Sequence, residues 1–252
     1  MTQEEIFEEA DIPVAEFENL GLSKDGLIDL GEHDLKALLA GRRTAMLRLH
    51  NLEDGDTKIM HLDAKLSLQR NELGHLDLLI HPVYRDPDGP SYLTDEETEK
   101  LANGEVVNLE KAVKINGVKK EVLIEFDKDT NEFIITDTER VLVPDFVNNE
   151  ELTPEQKVRF RKGQEVELSD GTKFQYAATD PQGIRSNKLH LIASLLIDGG
   201  LSYILYKGLK ALPGQKHDKV SEDYSRGYYH ALEDMKVRDI NKRMAGKNVH
   251  SR

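Results

Sequence analysis

The stretch LTDEETEKLANGEVVNL, from Leu93 to Leu109, returns 59 residues later as LTPEQKVRFRKGQEVEL, from Leu152 to Leu168. Thr94 with Glu97 three residues on is the capping-box arrangement at the start of a helix, and Gly104 stands where a left-handed C-terminal cap is needed. Thr153 and Gln156 repeat the box, Pro154 occupies the first helical turn, and Gly163 ends the helix. Each glycine is followed by a strand pattern and a turn: EVVNLEKAV, Asn116-Gly117 and KEVLIEFD in the first copy, QEVEL, Asp170-Gly171 and TKFQYAA in the second. Only six of the seventeen positions are identical, and all but the first-turn glutamate, Glu96 with Glu155, are the threonine cap, the turn glycine and apolar core residues. Those are the positions a duplicated folding unit keeps, because they set backbone geometry and burial. A duplicated catalytic site would keep polar side chains instead.

A fainter third copy precedes these two. LKALLAG ends at Gly41, TAMLRLHN is its strand, and Asp54-Gly55 its turn. Before it, residues 1–43 read as a small helical cap punctuated by Pro13, Gly21, Ser23 and Gly41. From Thr44 to Val83 the period becomes two. Leu62, Ala64, Leu66 and Leu68 share one face, and Leu76, Leu78 and Ile80 another, as in a half-buried antiparallel meander. The expected class is α+β, with repeated helix-Gly-β-hairpin units forming antiparallel sheets. The expected divisions are the cap at 1–43, the meander and first clear unit at 44–148, the second unit at 149–182, a helical region at 183–244 and a tail at 245–252.

The helical assignment of 183–244 rests on SNKLHLIASLLIDGGLSYILYKGLKAL, the most apolar run in the chain. Its nine Leu and Ile residues between Leu189 and Tyr206 would contribute about −4 kcal/mol to membrane insertion, against about +3 for Asp198 alone. The balance lies near zero, so the expected state is a buried helix, or a helical hairpin broken at Gly199-Gly200, with a self-association or partner surface and a membrane-associated segment as the alternatives for 189–206. His190, Ser194, Asp198 and Ser202 would then form a narrow polar stripe facing water or a partner. Downstream, Val220, Tyr224, Gly227, Tyr228, Ala231, Leu232 and Met235 recur at spacings of three and four, an amphipathic helix that adds Tyr224 and Tyr228 to the partner-surface candidates.

The chain has 252 residues, 38% of them hydrophobic, enough for a substantial core. Its net charge of −13 repels phosphate backbones and argues against broad nucleic-acid binding. Local basic groups remain: Arg42 and Arg43 after a helix end, and Lys236, Arg238, Lys242 and Arg243 near the C-terminus. The absence of cysteine excludes disulfides, thiol catalysis and cysteine-based zinc sites. The acidic start, MTQEEIFEEADIP, is unlike a signal peptide, and a cytoplasmic location is expected.

One cluster merits a chemical reading. His61 and Asp63 share a strand face, as do His75, Asp77 and His81 on the next strand, and a hairpin aligning its apolar residues would gather all five on the solvated side for a divalent metal or acid–base work. An ordinary exposed sheet face has the same pattern. DKDTNEF, at Asp127 to Phe133, departs from a calcium loop at its sixth and twelfth positions, Glu132 and Thr138, and reads as a hairpin turn. No phosphate loop, nucleophile elbow or zinc-helix motif occurs, and no cofactor is implied.

The ordered blocks LLAGRRTAMLRL, DAKLSLQR, HPVYRDP, LTDEETEKLANGEVVNL and FDKDTNEFI resemble the domain-of-unknown-function family numbered 4099, over about residues 12–148. LTPEQKVRFRKGQEVEL is similar to the start of its frequent companion, family 3945, over about 150–179. After Gly171 the sequence TKFQYAATDPQGIRSNK replaces that family's longer basic strand region. The resemblance implies a gene carried on conjugative or other mobile elements of anaerobic gut bacteria, in the neighbourhood of DNA-processing enzymes such as topoisomerases. It supplies no catalytic residues. The resulting expectation is a non-enzymatic accessory or adaptor protein acting through a protein partner or self-association. The alternatives are a nucleic-acid accessory using the basic groups and a metal-dependent enzyme using the His/Asp face.

Overall fold

The computed structural model describes residues 7–54, 57–87, 89–115, 117–197, 200–215, 217 and 226–249. Its contacts divide the chain into two units: Met1–Val141 with Ala177–Ile184, and Leu142–Tyr176 with Arg185–Arg252.

The first unit opens with α1 (Val14–Asn19), a small hairpin of β1 (Ser23–Lys24) and β2 (Leu27–Ile28), and α2 (Glu32–Leu39). Then come β3 (Leu47–Asp54), β4 (Thr57–Arg70) and β5 (Leu76–Pro82), antiparallel in that order. The period-two reading holds: Ala64, Leu66 and Leu68 of β4 are buried on one face, and Leu66, Leu68 and Leu76 pack with Phe17, Leu38 and Leu39 of the helical cap. A second antiparallel sheet follows α3 (Asp95–Asn103), made of β6 (Asn108–Ile115), β7 (Val118–Asp127) and β8 (Glu132–Asp137). Leu101 of α3 covers Val113, Val122 and Ile124. The opposite face of β7 is also buried. Its Glu125 carboxylate accepts hydrogen bonds from the amides of Ala178 (2.7 Å) and Thr179 (3.0 Å) and from the Thr179 hydroxyl (2.9 Å), which fixes the returning segment Ala177–Ile184.

The second unit begins with a hairpin of β9 (Phe146–Val147) and β10 (Glu150–Glu151), turned by Asn148 and Asn149 with φ of 47° and 65°. Two successive positive φ values make the tight turn whose twist matches a hairpin, and asparagine tolerates them better than most residues. Next come α4 (Pro154–Arg161), β11 (Val166–Glu167), β12 (Lys173–Tyr176) and β13 (Ile184–Ser186), the last three hydrogen-bonded in that order. β14 (His190–Ile197) and β15 (Gly200–Lys207) complete a four-stranded sheet of order β10-β9-β14-β15, and α5 (Arg226–Val249) packs Tyr228 and Ala231 on Ile192 of β14. Asp145 ties α4 to this sheet by accepting from Lys157 Nζ (2.6 Å) and the Leu196 amide (2.7 Å). Burial alone would raise its pKa, but these two donors outweigh burial and hold the carboxyl below its usual range.

The repeat is real at the level of hydrogen bonds. Both capping boxes form, at Thr94 with Glu97 and at Thr153 with Gln156. All three helices end alike: Gly41, Gly104 and Gly163 have φ of 68°, 76° and 66°, and their amides donate to Leu38, Leu101 and Phe160 respectively. The next amide in each case reaches back to Ala37, Lys100 or Arg159, completing the glycine stop. The residue three before each glycine is buried and apolar, so the stop also seats the helix. Each unit carries a third strand, β5, β8 or β13, beyond the hairpin read from sequence.

The apolar run is where the sequence reading fails. Leu189 to Tyr206 was expected to be helical, and β14 and β15 are antiparallel strands registered from His190↔Lys207 to Ile197↔Gly200. Leucine forms helices readily, but here every residue from Leu191 to Leu195 is buried, because both faces of β14 are covered. Among the described residues the region at 183–244 is therefore helical only in α5. Among the described residues no helix is long and apolar enough to cross a membrane.

Docking of α5 depends on one glycine. A Cβ at Gly227 would stand 2.1 Å from the Asn148 carbonyl oxygen, a backbone atom that cannot swing aside. Gly227→Ala is expected to release the start of α5 and destabilise the second unit by about 2 kcal/mol or more. Gly104→Ala, which meets the flexible end of Lys128 at a positive φ, should cost only about 1 kcal/mol. Chemical denaturation of both variants, with hydrogen exchange along α5, measures the difference.

Candidate functional site: an internal charge cluster and an open sheet edge

A dense group of ionisable side chains lies inside the first unit, between its two three-stranded sheets. Lys65, in the middle of β4, is 1% exposed. Its ammonium donates to both carboxylate oxygens of Asp127 at 2.9 Å and lies 2.8 Å from Asp129, in the turn between β7 and β8. Arg43, two residues past the Gly41 stop, pairs with Glu132 at 2.6 Å and lies 3.9 Å from Asp127. His81 of β5, directly across from Lys65, shares a 2.8 Å hydrogen bond between its Nε2 and the Ser67 hydroxyl, and its Nδ1 is 3.4 Å from Glu132. Burial, and then the positive charge of Arg43, push His81 down to about 4, so the imidazole is neutral near pH 7.

Ser67, His81 and Glu132 follow the hydroxyl–imidazole–carboxylate order used in acyl transfer. The arrangement lacks what that chemistry needs. Glu132 is nearer to Arg43 than to His81, the imidazole is a weak base, and the backbone beside Ser67 is taken up by pairing with Leu79 and by the Leu66 amide donating to Thr44. The cluster is a structural tie: three carboxylates facing two cations, closed by a neutral histidine.

The five residues proposed for a metal are not gathered. Asp63 is held by Arg48 of β3 at 2.7 and 2.8 Å, and that guanidinium keeps its carboxyl below the usual range. His61 is exposed opposite His50, and His81 is drawn into the charge cluster. His75 and Asp77 line a shallow cleft of about 450 Å³ with Asp11 and Glu16. Those carboxylates are engaged: Glu16 by the Leu78 amide, Asp77 by Asn71 and Asp11 by Arg70. Among the described residues no group of three or more His, Asp or Glu side chains could hold a metal ion. The polar face of β4 is covered at its centre by the β7–β8 turn, which is why it does not form one solvated surface.

The nucleic-acid candidates divide in two. Arg42 donates to the Pro181 carbonyl at 3.1 Å and packs beneath Gly183, and Arg43 is spent in the cluster, so neither faces a phosphate. Lys236 and Arg238 are exposed on α5, with Arg238 over the Tyr203 ring at 5.5 Å. The side chains of Lys242 and Arg243 lie outside the described residues. Among the partner-surface candidates, Ser194 is buried, His190 meets the Tyr228 ring, and Ser202 lies on the opposite sheet face from both His190 and Ser194. The polar stripe therefore does not exist as one surface, while Asp198 and Tyr224 lie outside the described residues.

Sequence reasoning did not single out the edge of the second unit's sheet. The Asn148 amide donates to the Ile192 carbonyl and the Asp145 amide to that of Ser194, so even-numbered residues of β14 turn their peptide groups toward β9. Odd-numbered Leu191, Ala193 and Leu195 therefore face β15, where Tyr206, Ile204 and Ser202 answer them. That leaves the N–H and C=O of Leu201, Tyr203 and Leu205 along the outer edge, with no partner among the described residues. Nothing charged and no proline interrupts the strand between Gly200 and Tyr206. Natural edge strands are ordinarily blunted by such residues.

Residues 7–90 match the family described as Protein of unknown function (DUF4099). The match takes in the helical cap and the β3–β5 sheet, including Arg43, Lys65, Ser67 and His81, and stops before α3. No curated protein and no solved structure matches the chain.

Removing one member of the buried pair strands the other charge. Lys65→Ala or Asp127→Ala is expected to cost about 3–5 kcal/mol in urea unfolding, and Lys65→Met with Asp127→Leu to recover most of that loss. The depressed His81 gives a pH signature. Its folded pKa near 4 lies below the unfolded value of about 6.5, so the unfolded chain takes up its proton first. Stability falls as pH drops from 6.5 toward 4, by on the order of 2 kcal/mol, and His81→Gln should flatten the slope between pH 6.5 and 5.

Proposed function

We propose that the protein is a non-enzymatic accessory or adaptor of a mobile genetic element, acting in the cytoplasm through protein–protein contacts. The observation that carries this reading is the outer edge of β15, where three residues turn their N–H and C=O groups outward on a strand with no charge and no proline between Gly200 and Tyr206. Strand addition at such an edge gives affinity through the main chain and specificity through alternate side chains. The charged groups of the Lys65–Asp127 cluster are engaged with one another, and among the described residues no His, Asp and Glu side chains gather as a metal site, which supports surface contact as the mode of action. The genetic setting rests on the family resemblance.

The test uses the full chain as bait in a lysate of its native host. Leu201→Pro blocks the edge, because the amide of Leu201 faces outward and its loss leaves the ladder to β14 intact. The expected result is a reproducible partner retained by the wild-type chain and lost by Leu201→Pro at unchanged circular dichroism. A chain that is strictly monomeric in light scattering and captures nothing reproducibly overturns the proposal.

A nucleic-acid accessory role keeps one supporting observation. At the tip of the β6–β7 hairpin Lys114 and Lys119 stand directly opposite each other, exposed and without an ion pair among the described residues. Like charges so placed repel, and an anionic partner would relieve them. This reading predicts binding that weakens steeply with salt and with Lys114→Ala/Lys119→Ala. No binding at low salt removes it.

A further inference from the structure

We infer that β15 is the strand through which two copies of this chain pair, antiparallel about a two-fold axis at Tyr203, to form one continuous eight-stranded sheet. The inference rests on the protein-contact reading above and names its occupant. A two-fold axis perpendicular to the sheet keeps each side chain on its own face, so partners in the two copies must have numbers of equal parity. Among such registers, the one centred on Tyr203 pairs Tyr203 with its counterpart and Leu201 with Leu205 of the second copy.

This register engages every outward group identified on the edge. Three residues, Leu201, Tyr203 and Leu205, each contribute one N–H and one C=O, giving six hydrogen bonds across the dyad. Moving the centre to Ser202 leaves Leu205 opposite residue 199, outside β15, and moving it to Ile204 sets the charged Lys207 against Leu201 on the apolar face. On the face that α5 covers, the new cross-strand neighbours are Leu201 with Leu205 and Tyr203 with Tyr203, all apolar or aromatic. On the other face Ser202 meets Ile204. No charged pair is opposed anywhere between Gly200 and Tyr206, although each chain carries a net charge of −13. A foreign strand could use the same main-chain groups, but the like-with-like pairing of leucines and tyrosines is a property of the strand with itself.

Because the net charge repels, the paired strands carry no charge between Gly200 and Tyr206, and Arg238 over the Tyr203 ring of each copy meets only its own like charge near the axis, the dimer should strengthen as salt screens the repulsion, opposite to an interface held by ion pairs. Light scattering of the full chain across concentration and ionic strength is expected to give a dimer whose fraction rises with salt and falls at least tenfold in affinity in Leu201→Pro. The chain has no cysteine, so introduced thiols report the register without background. A mixture of Ser202→Cys and Ile204→Cys chains should form a mixed disulfide dimer under mild oxidation, faster than either variant alone.

A monomer at all concentrations and salts overturns the inference, as does a dimer indifferent to Leu201→Pro or cross-linking preferentially elsewhere. A host protein captured in an edge-dependent way by a monomeric chain would overturn self-pairing and leave the adaptor reading standing. A dimer of the expected register with no captured partner would support self-pairing as the protein contact and remove the separate host partner.

Discussion

An ammonium group held away from water must be matched by carboxylates, and Lys65 obtains both of its carboxylates from the other sheet of its unit. Asp127 and Asp129 lie 62 and 64 residues further along the chain, so burying Lys65 forces the β7–β8 turn onto the face of β4. Arg43 adds a second tie to the same turn through Glu132, from a point just past the α2 stop. Helix end, first sheet and second sheet are thereby fixed relative to one another at one place. A displacement of the turn would leave the Lys65 ammonium buried without its carboxylates, which costs several kcal/mol, so the pairing specifies position as well as contact. Glu125 extends the same logic to the other face of β7, where three donors from Ala178 and Thr179 hold the returning segment.

Around these ties the architecture is repetitive. A helix, a left-handed glycine and a three-stranded sheet occur three times, with Leu38, Leu101 and Phe160 in equivalent buried places. The glycine stop alone is a common device, and α1 ends in a similar way with Gly21 and Leu22. What makes the unit a unit is the coupling of the stop to a sheet that receives the helix's last apolar residue. The parts that do not repeat, namely the charge cluster, the β9–β10 turn and the β14–β15 hairpin, carry the individuality of the molecule.

Local signals in the sequence were dependable because their physics is local. Thr94 and Glu97 cap a helix whatever packs on it, and alternation from Leu62 to Leu68 puts one set of side chains inside in any meander. The charge cluster was invisible for the opposite reason. Nothing near Arg43 distinguishes a residue that complements a helix end from one that pairs with Glu132 across 89 residues of sequence. DKDTNEF was correctly read as a turn, yet its local appearance says nothing about Lys65. The polar face of β4 and β5 was legible, but the turn that covers it was not, and with the cover in place the five proposed ligands have separate fates.

The misread apolar run is the most informative failure. A continuous series of leucine and isoleucine has no period to separate a buried helix from a buried strand, and Gly199-Gly200 suits a break in either. For β14 the structure supplies the reason: from Leu191 to Leu195 the strand is covered on both faces and flanked by β9 and β15, so apolar residues are favoured on both faces there. The same reason does not extend to β15. A strand at an edge with half-exposed side chains ordinarily alternates or carries a charge, whereas Leu201 to Tyr206 keeps only Ser202 as a polar side chain besides its tyrosine hydroxyls. The composition of β15 therefore exceeds what its place in a single chain demands. A second neighbouring strand beside that edge, supplying the main-chain partners that Leu201, Tyr203 and Leu205 lack among the described residues, would make β15 resemble β14 and account for the whole run by one physical cause.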